Sequence, residues 1–200
     1  MNKVYLIGRD EVPRRLVLGE GEVAELTLVA LPGASASTSV EVELAAPGAQ
    51  LTLSGLYLCP RDERVSFDIK VLHTSGECTS RQLFKGIVGG EARSDFYGLI
   101  YVQRDAQKTK AYQENHNILL SEQARVETRP QLEIYADDVE CSHGATVGRL
   151  DEQALFYMRS RGIPEADAKV LQMISFISPV VEMIEDETIR QQIYDSLSEC

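Results

Sequence analysis

The sequence predicts a mainly β protein that ends in a short helical segment, and three observations carry that reading. Up to residue 150, apolar and polar residues alternate in short segments with the period of two that a half-buried strand requires. The links between these segments carry turn chemistry, as at Pro32-Gly33, Pro47-Gly48, Ser75-Gly76 and Gly89-Gly90. No helical pattern separates them, which argues against a doubly wound α/β fold. From Asp151 the period becomes helical, so a β body over residues 1–150 and a helical part over 151–200 are expected.

Taken in order, Val40, Val42 and Leu44 alternate with Glu41 and Glu43, and Val65, Phe67, Ile69 and Val71 with Ser66, Asp68 and Lys70. Phe96, Gly98, Ile100 and Val102 form a further set, and Leu132, Ile134 and Ala136 another. Even spacing with few two-residue hairpin signals fits a solenoid of stacked coils. A sandwich or jelly roll fits the periodicity equally well. Asp151 is placed to cap a helix running toward Gly162, a suitable C′ residue, and Pro164 sits where a first-turn proline belongs. Val170, Leu171, Ile174 and Ile177 continue at helical spacing, followed by Val181 and Ile184. Pro179 is expected to kink or restart this helix with Ser178 as the new cap. Ile189, Ile193 and Leu197 make a last stripe.

The 200 residues suffice for one compact domain, or one domain with a small appendage. With 14 Gly, 7 Pro, 44% hydrophobic and 26% charged residues, collagen-like and largely disordered chains are excluded. A net charge of −11 makes nucleic acid and anionic membrane surfaces poor partners. No apolar stretch approaches the ~18 residues of a membrane span, and the apolar run near Met1 is too short for a signal peptide. Cys59, Cys78, Cys141 and Cys200 lack paired metal-site spacing and are expected to be reduced thiols in a cytoplasmic protein.

The richest segment for chemistry runs from Ile134 to Gly148. On a strand, Val139, Cys141 and His143 point to one side, so a thiol and an imidazole share a face. Such a pair could bind iron or zinc, or it could be a small buried cysteine beside a hydrogen-bonded histidine. Two ligands cannot close a four-coordinate site, so any metal would need ligands from elsewhere. Strand neighbours two apart are separated by about 7 Å, too far for a thiol–imidazole nucleophile. Asp137-Asp138 reads as a turn with an Asp side chain capping the backbone. Gly86–Gly90 lacks the Lys-Ser/Thr and helix of a phosphate loop. His73 shares the inward parity of Val65–Val71, and the amide-rich Gln113–Asn117 reads as side-chain ladders or turn hydrogen bonds between rungs.

Several linked strings resemble the SufB/SufD family of iron–sulfur cluster assembly proteins. They are Phe84-Lys85-Gly86-Ile87-Val88, Phe96-Tyr97-Gly98, Asp105-Ala106-Gln107-Lys108-Thr109 and Asn117-Ile118-Leu119-Leu120-Ser121. Pro130-Gln131-Leu132-Glu133-Ile134, Asp137 through Thr146, and Leu155 through Ile163 follow in the family's order. The dense similarity covers roughly residues 80–177. It implies a right-handed parallel β-helix followed by a helical C-terminal domain. Family members carry an N-terminal helical domain before the core, which is not expected in a chain whose β pattern begins almost at once.

SufB-type chains have a cysteine where this chain has His116, and they read His-Glu-Ala-Thr where it has His143-Gly144-Ala145-Thr146; the resemblance is therefore to SufD. It implies a non-enzymatic scaffold that pairs edge to edge with a SufB-like chain and docks a SufC-like ATPase through its C-terminal helices. Phe156, Tyr157, Arg161 and Gly162 are the candidates for docking. It further implies a transient iron–sulfur cluster at the subunit interface, with His143 the first candidate to contact it and Cys141 and His116 the others. A stand-alone homodimeric scaffold is the alternative. A β-helix enzyme acting on polysaccharide fits less well, since the chain has no Trp and 6% aromatic residues.

Overall fold

Every strand pairing in the molecule is parallel, and each strand's neighbour is the next strand but one in sequence. A computed structural model describes residues 1–200. The strands are β1 (Asn2–Leu6), β2 (Arg15–Leu18), β3 (Val23–Ala30), β4 (Ala36–Leu44), β5 (Gln50–Cys59) and β6 (Arg64–His73). They continue as β7 (Thr79–Val88), β8 (Arg93–Val102), β9 (Thr109–Leu119), β10 (Arg125–Ile134) and β11 (Val139–Gly148). Odd-numbered strands form one sheet in the order β1-β3-β5-β7-β9-β11, and even-numbered strands the other, in the order β10-β8-β6-β4-β2. The chain thus alternates between two facing sheets, which resolves the choice between sandwich and solenoid in favour of a β-solenoid of about five turns.

Strict alternation buries one face of each strand in the lumen. On β6, Val65, Phe67, Ile69, Val71 and His73 are buried while the residues between them are half-exposed or exposed. The lumen is filled by stacked aromatic rings: Tyr57–Phe67, Phe67–Phe84 and Phe84–Phe96 have centroid separations of 5.4, 5.5 and 4.8 Å. Two glycines make the room. A Cβ on Gly55 would lie 2.1 Å from the Phe84 ring, and one on Gly86 would lie 2.0 Å from the Tyr57 ring.

The outer face of the odd-strand sheet is apolar at Val29, Leu56, Leu58 and Ile87, and the second and third of three C-terminal helices cover it, the first packing on the second. These are α1 (Glu152–Ser160), α2 (Glu165–Val181) and α3 (Glu187–Ser196), followed by a 3₁₀ turn at Leu197–Glu199. Met173, Ile177, Val180 and Val181 of α2, Ile193 of α3, and Ile184 and Leu197 join those strand residues in one buried cluster. At ~1.5–3 kcal/mol per buried side chain, this interface fixes the helices to the β body. Asp151 caps α1, its side chain accepting from the backbone N–H of Gln153 and Ala154, and Asp186 caps α3 in the same way. Pro164 is the N-cap of α2, one position before the expected first-turn site.

Pro179 does not restart α2 with Ser178 as a new cap, since the helix runs through it to Val181 and Pro179 falls in its last turn. The Ser175 carbonyl, deprived of the amide that proline lacks, accepts instead from Ser178 Oγ at 3.1 Å. Asp137 and Asp138 lie in a bend, but neither side chain caps it. The bend is held by the Asp138 N–H donating to Gln107 Oε1 at 2.9 Å and by Lys108 N–H donating to the Asp138 carbonyl. No helix is long and apolar enough to cross a membrane.

His73 is fully buried, its Nε2 2.9 Å from Ser80 Oγ, and burial lowers its pKa to about 4. An unfolded histidine titrates near 6.5, so between these values the unfolded chain binds more protons than the folded one. Stability should be unaffected by this group above pH 6.5 and fall by about 3 kcal/mol as pH drops to 4. Urea unfolding at stepped pH should show this loss in the native protein, and a correspondingly shallower pH dependence in a His73→Gln variant.

Candidate functional site

The solenoid ends on an open rung. β10 and β11, the last strands of their sheets, each have a paired neighbour on one side only. The register places Cys141, His143, Ala145 and Val147 of β11 opposite Ala111, Gln113, Asn115 and Asn117 of β9, all four of which are buried inward residues. Those four β11 side chains therefore face the lumen, where no further rung covers them: His143 and Ala145 are exposed, Val147 is 45% exposed and Cys141 is half-buried. Opposite them, Val126, Thr128, Pro130 and Leu132 of β10 are half-buried, whereas equivalent positions of β8 are fully buried.

Cys141 and His143 thus share a face. The thiol packs with Leu132, Ala136 and Val139 against a small cluster formed by Ile100, Val102, Ala106 and Ala111, and burial pushes its pKa up. The His143 side chain makes no hydrogen bond within the chain, unlike those of the other two histidines, His73 and His116. No three His, Cys, Asp or Glu side chains are grouped so as to hold a metal ion.

His116 lies on the other side of the sheet. On β9 the buried residues are Thr109, Ala111, Gln113, Asn115 and Asn117, so Tyr112, Glu114 and His116 point outward. There His116 is held at both nitrogens, with Nδ1 2.8 Å from Thr146 Oγ1 and Nε2 3.1 Å from Glu114 Oε2. An ionised carboxylate only accepts, so in the neutral ring Nε2 donates to Glu114 and Nδ1 accepts from the Thr146 hydroxyl. Both nitrogens are occupied, and the sheet separates this imidazole from His143. Gly144, opposite Glu114, shares the outer face, and a Cβ there would meet nothing within 4 Å. The same face carries Lys110–Glu140 at 3.0 Å and the Tyr112 hydroxyl donating to Glu140 at 3.0 Å, two cross-strand contacts that tie β11 to β9.

The C-terminal candidates form a separate surface. Phe156 is 73% exposed and Tyr157 59%, while Leu155 between helix and body is buried. The Arg161 guanidinium lies 5.4 Å from the Tyr157 ring centroid. Gly162 adopts φ +88° as the C′ residue; its N–H donates to the Arg159 carbonyl and that of Ile163 to the Met158 carbonyl, closing the helix end. Sequence reasoning singled out His116 without its partners Glu114 and Thr146, which are two and thirty residues away. The thirty-residue spacing is one rung, and counting by rungs would have found Thr146.

Against known proteins, the family model described as "SUF system FeS cluster assembly, SufBD core domain" matches residues 12–176. The iron–sulfur cluster assembly protein SufD of Escherichia coli is 40% identical over 178 residues, covering 89% of this chain and 42% of that protein. The chloroplastic protein ABCI7 of Arabidopsis thaliana is 35% identical over 169 residues, or 84% and 36% of the two chains. SufD of Bacillus subtilis is 34% identical over 132 residues, or 66% and 30%. The chain spans between about a third and two-fifths of the length of these relatives.

All four cysteines are unpaired, and burial raises every thiol pKa: Cys59 and Cys200 to about 12, Cys78 and Cys141 above the ordinary thiol range. Since the thiolate is the reactive form, iodoacetamide at neutral pH should label the native chain slowly. Peptide mass spectrometry should find Cys59 and Cys78 modified only after unfolding, with Cys141 and Cys200 labelled well below the rate of a free thiol.

Proposed function

The chain belongs to the SufBD family of the SUF iron–sulfur cluster assembly system, and from that premise we propose that it acts as a non-enzymatic, SufD-like scaffold subunit in the cytoplasm. The observation that supports this reading best is the open last rung. Unpaired β10 and β11 edges, with inward side chains left uncovered, are a surface that natural sheets pair or cover. A SufB-like chain is the proposed cover, joining edge to edge and closing the lumen over Cys141 and His143.

In this reading the nascent iron–sulfur cluster is cargo held transiently at that junction. His143, exposed and unheld, contributes one neutral nitrogen to iron, or a hydrogen bond to sulfide or to a partner thiolate. The remaining ligands come from the partner chain. Cys141 packs the end of the lumen, and His116, tied to Glu114 and Thr146 on the outer face, does not reach the same cluster. The exposed Phe156 and Tyr157, with Arg161 and Gly162 at the end of α1, are proposed to dock a SufC-like ATPase. Nucleotide-driven movement of that ATPase would open the junction. A second copy of this chain could take the place of the SufB-like chain at the open rung. A chain that sediments as a dimer alone, and keeps doing so beside a SufB-like chain, would favour the homodimer.

Replacing His143 by Ala should abolish or strongly reduce cluster formation in the anaerobically co-expressed complex, read by iron and sulfide content, while the complex still elutes intact. Cys141→Ser should have a milder effect. A His143 variant that loads clusters at the normal rate would make His143 a bystander.

Tyr157→Ala should weaken ATPase binding roughly 30-fold, the ~2 kcal/mol of an aromatic anchor, with little change in thermal midpoint because the ring is 59% exposed. Titration calorimetry and thermal melts on the same variant separate docking from packing. Lost stability with retained binding would assign Tyr157 to the helix core.

A further inference from the structure

We propose that Gln113 is a positioning residue for His143: a buried amide ladder inside the lumen ends on that imidazole and determines which of its nitrogens is left bare. The inference deepens the reading of His143 as the cluster-facing residue and rests on it for its functional meaning, though not for its geometry.

Gln82, Gln113 and His143 stand directly opposite one another on β7, β9 and β11, all pointing into the lumen. Gln113 Nε2 donates to Gln82 Oε1 at 2.9 Å, which gives the ladder a direction: each carbonyl accepts from the rung nearer the open end. Leu53 is the residue opposite Gln82 on the inner side, so the ladder has no polar continuation there. At its other end Gln113 is fully buried, yet its Oε1 has no partner. Leaving a buried carbonyl unpaired costs free energy; Gln82 Nε2 is likewise without a partner on the inner side, and on the open side the neighbour that carries a donor is the next residue in register.

That neighbour is His143, in register on the next strand about 4.8 Å away; no hydrogen bond joins the two side chains in the structure, and a rotation of the exposed imidazole is what brings a ring nitrogen to the carbonyl. The opposite wall offers nothing: Gly98 faces the amide, and a Cβ there would lie 2.4 Å from Gln113 Oε1. The bare glycine lets the amide lie flat in the lumen, in the plane of the ladder. A carbonyl oxygen only accepts, so the imidazole nitrogen that meets it carries the proton. The other nitrogen is then an unprotonated lone pair directed away from the closed lumen, which is the form that binds a metal ion or accepts a hydrogen bond. Gln113 thereby does for His143 what a carboxylate or backbone carbonyl does for a metal-ligating histidine elsewhere, at one remove from the ligand.

The test is nitrogen-15 NMR of the full chain labelled at histidine, at roughly pH 9, where an ordinary imidazole is neutral. With three histidines in the sequence, subtraction against His143→Ala assigns the signals. In the native chain the two His143 nitrogen shifts should depart from those of a free imidazole and indicate one dominant tautomer. Gln113→Met, similar in volume but without the acceptor, should return them to free-imidazole values while the His73 and His116 signals stay in place. Gln113→Glu, which keeps an acceptor oxygen, should restore the held pattern. Co-expressed with SufB- and SufC-like chains, Gln113→Met should lower iron loading at least several-fold with the complex intact.

A native His143 spectrum already equal to free imidazole, or one unmoved by Gln113→Met, would overturn the proposal, and the native spectrum decides even if a variant fails to fold. Normal loading in His143→Ala together with a held native spectrum would instead remove the cluster role and leave the ladder standing.

Discussion

The structure depends on one constraint, which is that consecutive rungs stack in parallel register at the spacing of a backbone hydrogen bond. Once β5, β7 and β9 are aligned residue against residue, whatever points into the lumen on one strand sits about 4.8 Å from its counterpart on the next. A row of large side chains in such a column cannot be accommodated, so size has to be traded between rungs. Gly55 lies under the Phe84 ring and Gly86 under the Tyr57 ring, and the four lumen aromatics thread between sheets instead of stacking along one. Polar residues obey the same rule. Asn117 donates to Asn115, Asn115 to the Tyr57 hydroxyl, and that hydroxyl to Asn117, so buried groups satisfy one another inside the column.

A ladder of this kind has to stop, and it cannot stop neutrally. Every interior rung has its inward face closed by neighbours on both sides; the last has one neighbour. Cys141, His143 and Leu132 therefore occupy positions that are core on any earlier rung and half-open here. What would be a buried column elsewhere becomes a shallow floor with a thiol and an imidazole in it. The repeat itself, more than any dedicated loop or pocket, creates the candidate site. The column is open on the side where no further strand follows β10 and β11.

Much of this was legible in the sequence because period-two alternation reports the lumen directly. The inward sets on β4, β6 and β8 follow from Val40–Leu44, Val65–Val71 and Phe96–Val102 with no further information, as does the shared face of Cys141 and His143. The helical caps at Asp151 and Gly162 were equally local. What alternation cannot give is which strand lies beside which, since parity within a strand is silent on register between strands. Hence sandwich and solenoid stood level, and His116 was grouped with His143 although the two lie on opposite faces of the sheet. The links Gln82–Gln113 and His116–Thr146, thirty-one and thirty residues apart, are invisible until the rung length is known. Pro179 misled for a different reason: a serine one position earlier supplies the donor that proline lacks, a compensation that propensity does not anticipate.

The helices complete the argument for a scaffold. α2 and α3 spend their apolar faces on Val29, Leu56, Leu58 and Ile87, fastening to the outer surface of the odd-strand sheet. α1 contributes Leu155 to the interior and turns Phe156 and Tyr157 outward, which no requirement of the fold explains. A column that is open at one end, with a second aromatic surface fixed to its flank, presents two exposed surfaces at a set distance. The close-packed interface between helices and sheet fixes one surface relative to the other. That stiffness is what the stacked register supplies.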